Sequence, residues 1–503
     1  MESYLIGIDI GTTATKIVLI HKNGTIMNAV SKSVTLHTKK PRWSEEDPLE
    51  WWANVQELLP LLLEKSNVKP EQIKAVGVSG MVPTLICLDK NGDPLRYSIQ
   101  QNDARASDEI AELSAKTLVY DVLTKTGSKI TQQSIAPKIM WLKKHEPEVL
   151  EKTVSICGSY DFITRKLTGN ATNAIEANWA LESGLYNYQT ERWDDYILEQ
   201  AEIKKEWMGE VRKSHEVVGV VQGNHGTCLV EGTPVVAGAA DHVASAFSAG
   251  LVDDGDMLIK LGGAGDILLS ASRPVADPRL FLDYHLIPGH FLPNGCMASS
   301  GSVIRWFQRE VAGGTALEEL DREAEKTQMG SDGLILLPYF LGEKTPINDS
   351  KARGMFIGLH LGHTRAHMYR SILEGIGFGF NHHIEVFKEL GFKTNRVRIT
   401  NGGSRSRLWR QIIADITGLT LESIIEHPGS SLGAAFIAGI GVGEFESWSD
   451  IDRFIKIEEV IKPNPENGNR YKTLYEVYRS VYPKLLKEQH ILSDLSNEEG
   501  EGQ

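Results

Sequence analysis

Apolar and polar positions along the first hundred residues switch between two periods. Residues 4–8 and 17–20 are short β-type apolar runs; Gly11-Thr12-Thr13 lies in the turn between them, and Asn23-Gly24 makes a second hairpin turn. Asp47-Pro48 is a helix start signal ahead of a helical stretch over 49–63. The run Ala75-Val76-Gly77-Val78 then leads into Gly80. Strands alternating with helices predict an α/β architecture.

The opening grammar returns in the second half of the chain. Residues 257–261, the turn Gly262-Gly263-Ala264 and residues 265–269 read as strand, glycine turn, strand, as residues 5–19 do. Two domains that each begin this way would set two turns across one cleft. Glycine hairpins are also common without any repeat, so both readings stand at this point. Asp and Gly concentrate in 250–255, which divides the chain into an N-terminal domain over 1–249 and a C-terminal domain over 250–490. Residues 491–503 are expected as an acidic, mobile tail.

Length agrees with two domains, because 503 residues exceed the roughly 250–300 at which one core stops growing. A net charge of −13 argues against nucleic acid or an anionic membrane as the main partner. It leaves room for an anionic small molecule held by a few local donors. No apolar run reaches the ~20 residues of a membrane span, and nothing at the N-terminus reads as a signal peptide. Cys87, Cys157, Cys228 and Cys296 are scattered without metal-ligand spacing, as expected for thiols in a reducing compartment. The expected location is the cytoplasm.

Candidate chemistry sits in a few segments. In Asp9-Ile10-Gly11-Thr12-Thr13-Ala14-Thr15-Lys16 an acid ends a buried strand, which is costly unless it is hydrogen-bonded or near a cation. Gly11 admits close approach, and the turn amides and Thr hydroxyls can cradle phosphate oxygens; a plain capped hairpin is the bland alternative. Gly402-Gly403 sits where the strand-like run 397–399 gives way to a helix that Ser406 can cap, a geometry that suits phosphates and planar bases. Ser431-Leu432-Gly433-Ala434-Ala435 starts a helix whose small residues permit close approach, to a ligand or simply to a sheet. Gly238-Ala239-Ala240-Asp241-His242 brings a carboxylate out of a buried strand, where it can take a proton from a hydroxyl or cap the next helix. Gln100-Gln101-Asn102-Asp103-Ala104-Arg105 gathers the groups that hydrogen-bond a polyol, or else forms a solvated loop. The Walker A pattern and the protein-kinase motifs do not occur.

In this order and spacing the segments resemble the FGGY carbohydrate kinases, most nearly their xylulokinase-like branch. Gly354-Met355-Phe356-Ile357-Gly358-Leu359, then His367-Met368 and Ser371-Ile372-Leu373-Glu374, look like the family's C-terminal signature. Lys138-Ile139-Met140-Trp141-Leu142-Lys143-Lys144-His145 is similar to the core of the N-terminal one, and Glu46-Asp47-Pro48, Trp51-Trp52 and Leu167-Thr168-Gly169 are smaller matches. The resemblance implies a two-domain actin/hexokinase/Hsp70-like (ribonuclease H-like) α/β fold with the active site between the domains, and it implies ATP and Mg²⁺. By it Asp9, Gly11, Thr12, Thr13 and Lys16 form the first phosphate loop, with Asp9 near magnesium through water. Gly262, Gly263 and Ala264 fall in the second loop, and Gly402, Gly403 and Arg407 in the adenosine segment. Asp241 takes the role of general base, with Met81, Pro83, Gln101, Asn102, Asp103, Arg105 and His242 on the sugar side.

Three positions depart from the xylulokinase pattern. Met81-Val82-Pro83 replaces Gln-Met-His, Gln101 replaces a Trp, and His242 replaces an Asn. All lie on the sugar side, where Pro83 offers neither a backbone nor a side-chain donor. The acceptor implied is a ketopentose such as xylulose; ribulose, erythritol, gluconate, a linear signalling sugar and a non-catalytic ATP- or sugar-binding sensor are the alternatives. A homodimer is the family habit, with no residue pattern of its own.

Overall fold

Val, Ile and Leu runs that lack strict alternation become strands buried on both faces. A computed structural model describes residues 2–223, 226–424 and 429–498. The first sheet is formed by β1 (Tyr4–Ile10), β2 (Ala14–His21), β3 (Thr25–Ser33), β4 (Ile73–Gly80), β5 (Val217–Val220), β6 (Pro234–Val236) and β7 (Ala239–Ala240). The second is formed by β8 (Met257–Leu261), β9 (Gly265–Leu269), β10 (Phe281–Tyr284), β11 (Phe291–Met297), β12 (Val397–Thr400), β13 (Leu421–Ile424) and β14 (Ile457–Ile461).

The internal repeat is real at the level of topology. The first sheet runs β5-β6-β4-β1-β2-β3, with β7 also pairing β4; the second runs β10-β11-β9-β8-β12-β13-β14. Each contains an antiparallel meander, β1–β2–β3 or β8–β9–β11, whose first strand pairs in parallel with a later strand, β4 or β12. The two glycine turns therefore occupy equivalent places in two sheets.

Ten helices matter here: α1 (Pro48–Ser66), α2 (Ile135–His145), α3 (Ala177–Glu182), α4 (Asp241–Ser248), α5 (Gly301–Glu310), α6 (Leu317–Glu325), α7 (Arg365–Glu389), α8 (Arg407–Thr417), α9 (Ser430–Gly441) and, after Pro465–Lys484, Leu486–Glu498. Asp47 caps α1 as its sequence signals, accepting from the Leu49 N–H at 2.9 Å. Helix α9 lies against the first sheet although it comes late in the chain, and Leu432, Phe436 and Ile437 join the core of β1, β2 and β4. Gly7 and Gly77 make that approach feasible, and Gly433 lets α9 come equally close to α4. A Cβ on Gly7 would stand 1.9 Å from the Ser431 carbonyl oxygen, one on Gly77 2.0 Å from that of Ala434, and one on Gly433 2.4 Å from that of Ala244. The small residues of 431–435 thus pack tightly against the sheet and against α4.

The expected mobile tail is corrected over most of its length. Residues up to Glu498 continue a helix, and Gln489 and Ser493 are buried. The Gln489 side chain accepts from the Arg353 N–H at 2.9 Å, and Asp494 pairs with Lys351. Those contacts give the segment a packed face, which acidic composition does not reveal. Residues 499–503 lie outside the described residues. Among the described residues no helix is long and apolar enough to cross a membrane.

Candidate active site

Strand register brings the acids together. Asp9 on β1 pairs with Ser79 on β4, and Ser79 pairs with Ala239 on β7, so three parallel strands end side by side. Asp241 follows two residues beyond Ala239, in the first turn of α4. The Ser79 hydroxyl donates to Asp9 Oδ1 at 2.9 Å, and Lys16 stands opposite Asp9 on β2. Burial, and then the charge of Asp241, push the Asp9 carboxyl up to about 6 against the opposing hydroxyls of Ser430 and Ser79. Burial likewise lowers Lys16, with Asp9 opposing. A buried acid repelled by a second one suits a cation, so this donor set fits a hydrated divalent ion. The Gly11 N–H donates to the Ala14 carbonyl at 3.1 Å, which closes the turn that carries half-buried Thr12 and exposed Thr13.

The second glycine turn is clamped to the N-terminus of α5. The Gly263 carbonyl accepts from the Ser300 and Ser302 amides at 2.8 and 3.1 Å, and the Gly262 carbonyl accepts from Gly301 at 2.9 Å. Beside it opens a cavity of roughly 360 Å³ whose lining includes Gly262, Gly263, Asp321, Gly402, Gly403 and Arg405. Ala264 is at the tip of the turn and outside this lining. Ser406 caps α8 as expected, accepting from the Trp409 N–H at 3.1 Å. The Arg407 side chain is 82% exposed and pairs with Glu459, whereas Arg405 lines the cavity. The helix begins at residue 407 and turns that side chain outward. Asp321 on α6 had no sequence signal; burial raises its carboxyl, opposed by Ser406 and by the Tyr369 hydroxyl, which donates to it at 3.0 Å.

A cavity of roughly 210 Å³ lies between the sheets on the other side of Asp241. Its lining includes Val82, Gln101, Glu182, Asp241, His242 and Asp283. Asp241 is the first residue of α4 rather than its N-cap, a place held by Ala240. Its carboxylate accepts from the His242 N–H at 2.6 Å and is 37% exposed toward this space. His242 Nε2 stands 2.8 Å from Asp283 Oδ2 and 3.9 Å from Glu182 Oε1. Burial alone would push the imidazole down, but Asp283, Glu182 and Asp241 together outweigh it and push it up. Glu182 is raised first by burial and next by Asp283.

Several expected sugar contacts are elsewhere. Met81 and Pro83 are buried and outside the cavity lining, and Val82 between them faces the cavity. The Met81 carbonyl accepts from Ser159 Oγ at 2.8 Å, so the segment is pinned with its middle residue outward. Of the polar run only Gln101 reaches the cavity, and Asn102 is exposed outside its lining. Asp103 and Arg105 form a buried node: Arg105 donates to Asp103 at 2.8 and 2.7 Å, and Asp103 accepts from the Ser44 N–H at 2.6 Å. The guanidinium also pairs with Glu45 and lies 3.7 Å from the Trp43 ring centre and 5.0 Å from that of Trp141. Lys138 on α2 braces the same loop, donating to the Gln100 carbonyl at 2.9 Å. Glu182 and Asp283 escaped the sequence reading; the signal for Asp283 is an acid inside the apolar strand Phe281-Leu282-Asp283-Tyr284.

Comparison with known proteins agrees with this geometry. Residues 4–248 match the N-terminal domain of the FGGY family of carbohydrate kinases, and residues 258–442 match its C-terminal domain. A xylulose kinase of Bacillus subtilis (strain 168) is 31% identical over 486 residues, 95% of this chain and 96% of that protein. The crystal structure of a xylulose kinase from Rhodospirillum rubrum superposes with a TM-score of 0.92 at 38% identity, covering 97% of this chain and all of the other. A gluconate kinase from Lactobacillus acidophilus does so at 0.90 and 28% identity, covering 96% of this chain and 98% of its own. With both domain matches in sequence along residues 4–442, the chain belongs to the FGGY family of carbohydrate kinases.

Proposed function

We propose that the protein phosphorylates a hydroxyl of a small sugar at the expense of ATP, with xylulose as the first candidate and Asp241 as the general base. The observation that carries this reading is Asp241 itself, a partly exposed carboxylate at the junction of the cavity that contains His242 and the end of β1 that carries Asp9. The N-terminal lobe, residues 1–249, supplies the base and the first turn; the lobe over 250–490 supplies the second turn and the adenosine cavity.

In this reading the base and phosphate of the nucleotide lie along the cavity that Gly262, Gly263, Gly402 and Gly403 line, with open space where side chains on Gly263 and Gly402 would stand. Arg405 and Asp321 offer a cation and an acceptor at the rim. Magnesium, when bound, neutralises charge on the transferred phosphoryl group. Asp9 would hold it through water. The acceptor sits against Gln101, His242 and Glu182, with the reacting hydroxyl toward Asp241, which takes its proton as oxygen attacks the γ-phosphorus and the bond to the β-phosphate breaks to release ADP. Positioning between the two lobes and exclusion of water supply most of the rate.

Relatives of this fold are named for different acceptors, so the acceptor must be measured. ADP release with Mg-ATP is followed against xylulose, ribulose, erythritol and gluconate. The reading expects one ketopentose to raise turnover far above the rate without acceptor. Equal rates with and without every acceptor would overturn it.

A further inference from the structure

His242 occupies an unusual electrostatic position. It follows the proposed base directly on the first turn of α4, and its ring leaves the N-terminal lobe to meet a carboxylate of the second sheet: Nε2 is 2.8 Å from Asp283 Oδ2 on β10. That carboxylate is itself fixed, because Asn294 Nδ2 donates to the same oxygen at 2.7 Å. Strand β10 is tied in turn to α3 of the first lobe. The Asn178 side chain accepts from the Tyr284 N–H at 2.8 Å and donates to the Tyr284 carbonyl at 3.1 Å. On its other side the ring stands close to the base, with Nδ1 3.5 Å from Asp241 Oδ1.

Asp241 needs such a neighbour. Asp9 on β1 repels it, and Glu182 on α3, Asp283 on β10 and Asp266 on β9 add acids around the same cavity. Lys129 and Lys344 also line that cavity, and the His242 ring nitrogen stands 3.5 Å from Asp241. A carboxylate that must stay aimed at a hydroxyl is well served by a fixed ring nitrogen beside one of its oxygens.

We propose that His242 is a positioning residue for the base, with Asp283 as its anchor: the Asp283–His242 pair holds the Asp241 carboxylate oriented toward the acceptor cavity. The inference rests on the proposed role of Asp241. It assigns to the chain's departure from the family's Asn a share in the rate of the chemical step rather than a simple contact with the sugar.

The test uses the full chain with the acceptor found active, and compares His242→Gln, Asp283→Asn and the double variant. Each is first shown to melt as the parent does and to bind ADP by calorimetry. The proposal expects either single change to lower kcat by roughly tenfold or more, with KM for ATP nearly unchanged. It expects the double variant to be no slower than the slower single, since both act through one pair. Retention of charge should rescue, so Asp283→Glu should recover part of the kcat lost in Asp283→Asn. Parental kcat in both singles, a rise in acceptor KM alone, or multiplying losses in the double variant would each overturn it. Asp241→Asn run in parallel separates the levels. If that change leaves turnover intact the base assignment fails; if it abolishes turnover while the His242 and Asp283 variants keep kcat, only the positioning role fails.

Discussion

The Ser79 hydroxyl donates to Asp9 Oδ1 at 2.9 Å, across the parallel pair that also sets the spacing between Asp9 and Asp241. One register thus fixes the places of both Asp9 and Asp241. The cost is a carboxyl held at about 6 instead of 3.8, from burial first and the Asp241 charge second.

That cost gives a pH-dependent prediction for Asp9→Asn. A carboxyl raised in the folded state binds its proton more tightly there than in the unfolded chain. Its contribution to stability is full below 3.8 and is lost as pH rises through about 6. The Asn variant should therefore melt higher than the parent at about pH 8, by on the order of 2 °C, and show no such gain near pH 4. Its turnover with Mg-ATP should fall by roughly 100-fold or more. Thermal melts without ligand at the two pH values, beside ADP release, decide it; equal melting at both would show that Asp9 is not under electrostatic stress.

Two glycines should separate folding from function. A Cβ at Gly7 would stand 1.9 Å from the Ser431 carbonyl, where strand and helix backbones cannot part cheaply. Gly7→Ala should destabilise by roughly 2 kcal/mol or more, read by urea unfolding. A Cβ at Gly263 meets no protein atom within 4 Å. Gly263→Ala should keep the parental melting temperature while lowering kcat/KM for ATP by roughly tenfold or more, because the added methyl enters the nucleotide's space. Unchanged kinetics for Gly263→Ala would remove this turn from the phosphate site.

The pair of Asp103 and Arg105 makes the opposite case. Each is buried, bonded to the other and held by Ser44, Glu45 and Trp43. Asp103→Ala leaves the buried Arg105 guanidinium with Glu45 as its carboxylate partner and the Ser44 N–H without its acceptor, and should lower stability by roughly 2–3 kcal/mol. The fraction that remains folded should keep its acceptor KM within about threefold. Chemical unfolding together with acceptor saturation curves checks both, and a large rise in KM with normal stability would restore the pair to the sugar site.

These cases mark what the chain discloses in sequence. The two hairpins, their glycine turns, the Asp47 and Ser406 caps and the emergence of Asp241 after Ala239-Ala240 are local, so propensity and turn chemistry reveal them. The fates of Asp103, Arg105 and Arg407 are not local. Composition says that a carboxylate and a guanidinium lie two residues apart, but not that Trp43 and Trp141 will enclose them. Arg407 differs from Arg405 only in the side of a helix start on which it falls. Glu374 in the C-terminal signature is instructive as well: it accepts from Gly330 N–H, Ser331 Oγ, Arg370 Nε and Tyr471 OH, which makes it a buried hub rather than a site residue. Asp283 and Glu182 reach the acceptor cavity only through the docking of β10 on α3, a pairing more than a hundred residues apart for Asn178 and Tyr284.

The measurement that bears most directly on the whole account is acceptor-stimulated ADP release by Asp241→Asn beside the parent, with ATP binding followed by calorimetry. Asn keeps the size and loses the ability to take a proton. The account predicts that nucleotide affinity stays within about threefold while acceptor-stimulated turnover falls by roughly 100-fold or more. Turnover at the parental level, with ATP bound as before, would contradict it and move the base to another group in the cleft.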